Sequence, residues 1–255
     1  MSEKAVATTE KKGTAVVVRD YFEKNKAVIM ETLPRGFNYS RMVRSVMNAV
    51  STTPIIAQCT PASIFLASVK GMALGLEPNG ALGHAYLVPF RDNGTWKAQF
   101  MPSYKGMIEL AMRTGKVSSI YAHEVCEHDS FEYELGDSKH IHHIPNASDR
   151  GNTIGYYAVV KYSDGAADFE YMTMQDVNKV RASSKTADKS YSPWKSWPDE
   201  MGKKTAVKRL MKRVPMSVEM AELVKADNHI ATGEPQDEIT AVMDCEFEEV
   251  ENGEV

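Results

Sequence analysis

Apolar residues recur along the first third of the chain at helical spacing. Val17, Tyr21, Phe22, Val28 and Ile29 fall on one side of a helix expected over residues 15–32, which Pro34 and Gly36 stop. A second helix, over residues 39–50, gathers Met42, Val43, Val46, Met47 and Val50 on one face and leaves Arg41 and Arg44 outside it. Thr60-Pro61 reads as the cap and first turn of a third, over residues 61–76. The pattern then breaks at Gly75, Pro78, Gly80 and Gly83, where the chain must turn without side chains in the way. Strand-forming runs at 84–90 and 96–101 flank Asp92-Asn93-Gly94, a strong short-range signal for a β-hairpin. After Pro102 the period lengthens again: Tyr104, Met107, Ile108 and Ala111 face one way, and Lys105, Glu109 and Arg113 the other.

Beyond Gly115 the pattern alternates in twos. Strands are expected over 117–126, 131–135, 154–162 and 168–172, the last two joined by Ser163-Asp164-Gly165. A helix resumes near Met174 with Val177, Val180 and Arg181, and a final helix over 199–213 carries the stripe Val207, Leu210, Met211 and Val214. Strands placed between helices in this order predict an α+β fold, a mostly antiparallel sheet with a β-hairpin packed against helices. No repeat or linker divides it, so one domain is expected over residues 15–225, after a disordered 1–14.

Bulk composition narrows the classes. A chain of 255 residues with 43% hydrophobic content is long enough for a sizeable core. It has no apolar run of membrane-spanning length, and its first residues lack a signal peptide's apolar stretch, so a cytoplasmic protein is expected. Cys59, Cys126 and Cys245 are widely separated and form no CxxC, which argues against a disulfide framework or a zinc ribbon.

Charge changes the picture more. Residues 226–255 hold ten acids and no Lys or Arg, so the net −4 divides into −10 there and +6 over residues 1–225. The tail is expected to be disordered and able to compete with a polyanion for the basic body. Residues 172–213 hold eleven Lys or Arg against four acids, a concentration that points to a polyanionic partner. In the stretch 182–199, Lys185, Lys189 and Lys195 alternate with Tyr191, Trp194 and Trp197. Cations attract phosphates and flat rings stack on bases of any identity, the combination that suits single strands. A surface loop with its tryptophans tucked onto the core is the other reading of the same residues. In the last helix Lys204, Lys208 and Lys212 recur every fourth residue, flanked by Lys203, Arg209 and Arg213. They stand ~6 Å apart along the axis, near the phosphate spacing of an extended strand. Like charges so placed weaken an isolated helix, and a bound anion would relieve them; a solvated face is the alternative.

An enzyme is the competing class. His140, His142 and His143, with His123, Glu124, Glu127, His128 and Asp129, are the residue types of a metal-dependent nuclease, but no fixed ligand spacing such as HExxH is present. Gly115-Lys116 runs into Val117 and Gly202-Lys203 into Lys204, so neither completes a nucleotide-binding P-loop.

Two long strings, GLEPNGALGHAYLVPF followed by SYKGMIELAMRTG, and EMGKKTAVKRLMKRVPMS at 200–217, resemble the RecT-type phage recombinases, single-strand annealing proteins of the RecT/Redβ superfamily. The likeness covers roughly residues 15–220. It implies ATP-independent binding of single-stranded DNA and annealing of complementary strands in homologous recombination. No catalytic residue, cofactor or metal is called for. The family's proteins form rings or helical filaments that hold a duplex intermediate in a basic groove. Their partners are a 5′-to-3′ exonuclease and the bacterial host's single-strand-binding protein. On this reading Lys204, Lys208 and Arg209 contact phosphates, with Lys203 and Lys212 behind them. Lys105 and Arg113 form a second group, and Arg181, Lys185, Lys189 and Lys195 a third. Tyr104, Tyr191 and Trp194 are the stacking candidates, and the first two helices are assigned to subunit contact.

Overall fold

A computed structural model describes residues 13–184, 187–188 and 192–215. The acidic tail, Lys185, Lys189 and Tyr191 therefore lie outside the described residues. The chain divides into two compact units that meet in sequence between Pro102 and Ser103.

The first unit opens with α1 (Thr14–Lys24) and α2 (Lys26–Thr32), where the pattern predicts one helix. Asn25 makes the break: it leaves helical geometry at φ −98° and ψ 9°, and its Nδ2 donates to the Tyr21 carbonyl at 3.0 Å. A buried side chain that satisfies the local carbonyl competes with continued helix. Then come α3 (Tyr39–Thr52), the single turn α4 (Pro54–Ala57) and α5 (Pro61–Ala73). Met42, Val46 and Val50 of α3 are buried as expected, and Phe22, Ile64, Phe65 and Met72 fill the centre. β1 (Ala85–Asp92) and β2 (Thr95–Pro102) pair antiparallel around Asn93 and Gly94, whose φ values of 46° and 86° are those of a tight hairpin turn. The hairpin docks on α5 so closely that a Cβ at Gly71 would stand 2.7 Å from the Phe100 ring.

The second unit opens with α6 (Tyr104–Arg113), capped by Ser103, whose Oγ accepts from the Gly106 amide at 3.1 Å. β3 (Val117–Cys126), β6 (Thr153–Tyr162) and β7 (Ala167–Thr173) form an antiparallel sheet in the order β3-β6-β7. β4 (Ser130–Glu134) and β5 (His140–Ile144) make a separate hairpin. α7 (Met174–Ser183), the one-turn α8 (Pro193–Ser196) and α9 (Pro198–Met211) complete the unit. The α+β class is borne out; among the described residues the named strands pair antiparallel and form three small sheets where one was expected.

Successive residues of a strand point to opposite faces, and the sheet uses both. Tyr156 points to α9, where its hydroxyl donates to Asp199 Oδ1 at 2.8 Å. Tyr157 points the other way, into a cluster with Val125, Val159 and Phe169 that Phe131 and Ile141 of the β4–β5 hairpin cover. The three-stranded sheet is thus a middle layer with the basic helix on one side and an aromatic hairpin on the other.

Candidate nucleic-acid interface

Helix α9 is built to face two ways. Pro198 sits in its first turn with Asp199 and Glu200, and Lys208 and Arg209 close its last turn, the charge order that the helix dipole favours. Thr205, Ala206, Val207, Leu210 and Met211 are buried against the sheet, and Val214 follows at 3% exposure. Gly202 lets the helix approach Tyr156, since a Cβ there would fall 2.3 Å from the ring. This anchorage fixes the outer side, where Lys204 and Lys208 are half-buried and Lys212 is exposed.

Lys203 and Arg209 of α9, and Arg213 just after it, form ion pairs with acids of the helix itself and of the sheet. Lys203 Nζ lies 2.6 Å from Glu200 and 3.8 Å from Glu124 of β3, and the Glu200 hydrogen bond leads in raising its pKa above the ordinary lysine value. Arg209 Nε stands 2.7 Å from Glu170 Oε1 on β7. Arg213 reaches the same carboxylate, bonds Asp168 at 3.2 Å and donates to the Phe169 carbonyl at 2.8 Å. Glu170 is only 9% exposed, so these arginines neutralise a buried acid and lock the end of α9 to β7. Arg209 serves packing as well as any ligand, and its side chain remains 52% exposed.

The other expected positions scatter. Lys105 is exposed on α6 and Tyr104 is half-buried beside it. Arg113 pairs with Glu109 at 3.1 Å, and Arg181 with Asp188 at 3.5 Å. Lys195 is exposed on α8. Trp194 departs from its expected stacking role: it is 7% exposed, its ring packed inward as the tucked-loop reading has it. Among the described rings of that stretch, Trp197, 67% exposed, is the one that faces outward. Composition alone could not separate these two tryptophans, because both sit among the same prolines, serines and lysines.

His143 of the histidine cluster is held in a hydrogen-bonded network. His143, its side chain 5% exposed, places Nε2 3.1 Å from Asp129 Oδ2 and Nδ1 3.2 Å from the Tyr157 hydroxyl. Asp129 also accepts from the Cys126 amide at 2.8 Å, the Asn146 amide at 2.9 Å and the Arg150 guanidinium at 2.8 Å. Arg150 leads in holding the Asp129 carboxyl far below the usual carboxylate range, with the two amides and His143 adding to it against the cost of burial. The same guanidinium bonds Glu124 Oε1 at 2.8 Å and the Glu124 carbonyl at 3.0 Å. Burial opposes ionisation of Glu124, but Arg150, a backbone amide and Lys203 together lower its pKa. A ladder of charge thus runs from the β4–β5 hairpin through Arg150 and Glu124 to Lys203 of α9. Among the described residues no group of three or more His, Cys, Asp or Glu side chains is placed to hold a metal ion. Arg150 was not a sequence candidate: a lone arginine in a polar turn carries no periodic signal.

A model of the RecT family matches residues 40–244. The chain belongs to the RecT family. It is 35% identical over 234 residues to Protein RecT of Escherichia coli (strain K12), an alignment that covers 90% of this chain and 86% of that protein. It is also 29% identical over 191 residues to the uncharacterized protein YqaK of Bacillus subtilis (strain 168), across 74% of this chain and 64% of that one. The resemblance read from those strings is borne out, and membership supports a role in DNA recombination through single-stranded DNA. Among the described residues no helix is long and apolar enough to cross a membrane.

Proposed function

We propose that this RecT-family protein binds single-stranded DNA and anneals complementary strands without ATP, as an oligomer that holds the paired intermediate on a basic surface. The observation that carries this reading is α9: three lysines at four-residue intervals on the outer side of a helix whose inner side is anchored in the sheet. Strands neutralised along such a row repel one another less while their base edges stay outward, so pairing is accelerated with no covalent step. Lys204, Lys208 and Lys212 are the first phosphate contacts in this proposal, with Lys203 and Arg209 beside them and Lys105, Arg113, Arg181, Lys185, Lys189 and Lys195 as supporting cations. Tyr104, Tyr191 and the exposed Trp197 are the stacking rings. Helices α1, α2 and α3, which the first two expected helices became and on which Met30 is 56% exposed, are the surface assigned to subunit contact in a ring or filament. A 5′-to-3′ exonuclease and the host single-strand-binding protein are the proposed partners in the bacterial cytoplasm.

Pairing of two labelled complementary oligonucleotides, without ATP and with chelator present, tests the core of this reading. Wild type is expected to accelerate pairing at least tenfold, and Lys204→Glu/Lys208→Glu to lose the acceleration while keeping its unfolding midpoint. The salt dependence of binding should flatten in the variant, by ~0.7 in log–log slope for each phosphate contact removed. Shortened strands that appear only when metal is restored would replace annealing with the nuclease reading.

The acidic tail enters as a competitor for the same cations. Deletion of residues 226–255 is expected to tighten binding of an oligonucleotide several-fold at low salt, with the gain vanishing at high salt as screening removes the competition. Equal affinity of the full chain and the truncation across a salt series would remove that role.

A further inference from the structure

β3 is an edge strand of its sheet, and the β4–β5 hairpin packs against the cluster to which β3 contributes Val125, near its C-terminal end. Tyr121 and His123, two residues apart on β3, share the face of Val125 yet stay exposed, Tyr121 at 38%. Their rings stand 5.7 Å apart between centroids, and His123 stands 5.7 Å from the next ring, Tyr157. At the outer end of the row the Lys161 ammonium lies 5.8 Å from the Tyr121 ring centroid. At its inner end is a cavity of about 200 Å³ lined by His123, Glu124, His143, Pro145, Arg150 and Tyr157. Cross-strand packing accounts for the covered rings such as Phe131 and Tyr157, but it does not account for two rings left open to solvent on an edge.

We propose that this row is a base-stacking track for a single DNA strand, beginning at Lys161, passing over Tyr121 and His123, and ending with one unstacked base in the cavity. The proposal rests on the single-strand reading above and adds to it a second surface, on the face of the sheet opposite α9. The ring spacing exceeds the ~3.4 Å rise of stacked bases, so a strand laid on it one base per ring is held stretched. The cavity selects a base over a phosphate. Glu124 is an ionised acceptor that repels phosphate oxygens, whereas beside Arg150 it offers the paired acceptor and donor that a base edge needs. Lys161 supplies the phosphate contact at the open end, and Lys116, whose carbonyl accepts from the Ser163 amide at 2.9 Å, sits in the turn that leads into β3.

The test compares binding of oligothymidylate with that of an abasic strand of equal length, for the full-length protein. Wild type is expected to prefer the base-bearing strand by roughly tenfold or more, the size of one or two base–ring stacks. Tyr121→Ala/His123→Ala should cut that preference at least fivefold without changing the salt slope, while Lys161→Ala should lower the slope by ~0.7 and leave the preference intact. Tyr121→Leu, which keeps the side chain's bulk and removes the ring, decides the matter if the double variant is unfolded. An unchanged base preference in a folded ring variant overturns the track and leaves annealing by α9 standing. Failure of wild type to bind either strand overturns both.

Discussion

Gly202→Ala is expected to destabilise the second unit by about 3 kcal/mol, against the usual gain of up to about 1 kcal/mol when alanine replaces glycine inside a helix. The reversal comes from Tyr156. An added Cβ would stand 2.3, 2.4 and 2.6 Å from three carbons of that ring, where ordinary contact begins near 3.4 Å. The ring has nowhere to withdraw: the residue is 2% exposed, and its hydroxyl is held at 2.8 Å by Asp199 of the same helix. Burial, with Asp199 beside it, also pushes the hydroxyl pKa upward, so the donor keeps its proton. The helix must therefore lift from the sheet by about an ångström, loosening Ala206, Leu210 and Met211 and moving the lysine row with them. Urea unfolding of Gly202→Ala, Tyr156→Leu and the double variant measures this directly. The alanine should cost far less in the leucine background, and a Gly202→Ala single variant as stable as wild type would show that the ring is not clamped.

The legible part of the molecule was the part governed by period. The stripe Val207, Leu210, Met211 and Val214 located the buried side of the last helix, and Asn93-Gly94 located the first hairpin, because each is settled by neighbours a few residues away. What the pattern could not resolve depends on partners distant in sequence. The break at Asn25 follows from one side chain bonding its own backbone, and a helical period does not register it. Arg209 and Arg213 read as free cations until β7 brings Glu170 and Asp168 beneath them, some forty residues away in the chain. The histidine cluster reads as metal chemistry because residue types were adjacent in sequence, yet alternation sends His142 and His143 to opposite faces of β5. Tyr121 and Lys161 were unremarkable on separate strands; the β3–β6 register makes them neighbours.

The Asp129 carboxylate is expected to make the second unit acid-labile, and Asp129→Asn to remove most of that lability. Its side chain is wholly covered and accepts from Arg150, His143 and two backbone amides, joining the β3–β4 turn, β5 and the 146–150 loop at one point. Truncation to alanine leaves the Arg150 charge without its main partner. The cost should be about 3 kcal/mol, the low end for a broken buried pair, because Arg150 is still 31% exposed and keeps Glu124. The pH dependence follows from the depressed folded-state pKa. An unfolded aspartate titrates near 3.9, so as pH falls the unfolded chain takes up the proton before the folded one does. The stabilisation is therefore complete above about pH 5 and drains away below that, towards the much lower pKa of the folded carboxyl. Unfolding free energies measured from pH 7 down to pH 3 should fall steeply for wild type and less for Asp129→Asn, so that the two curves converge in acid. Parallel curves would assign the acid sensitivity to other carboxylates, Glu124 first among them.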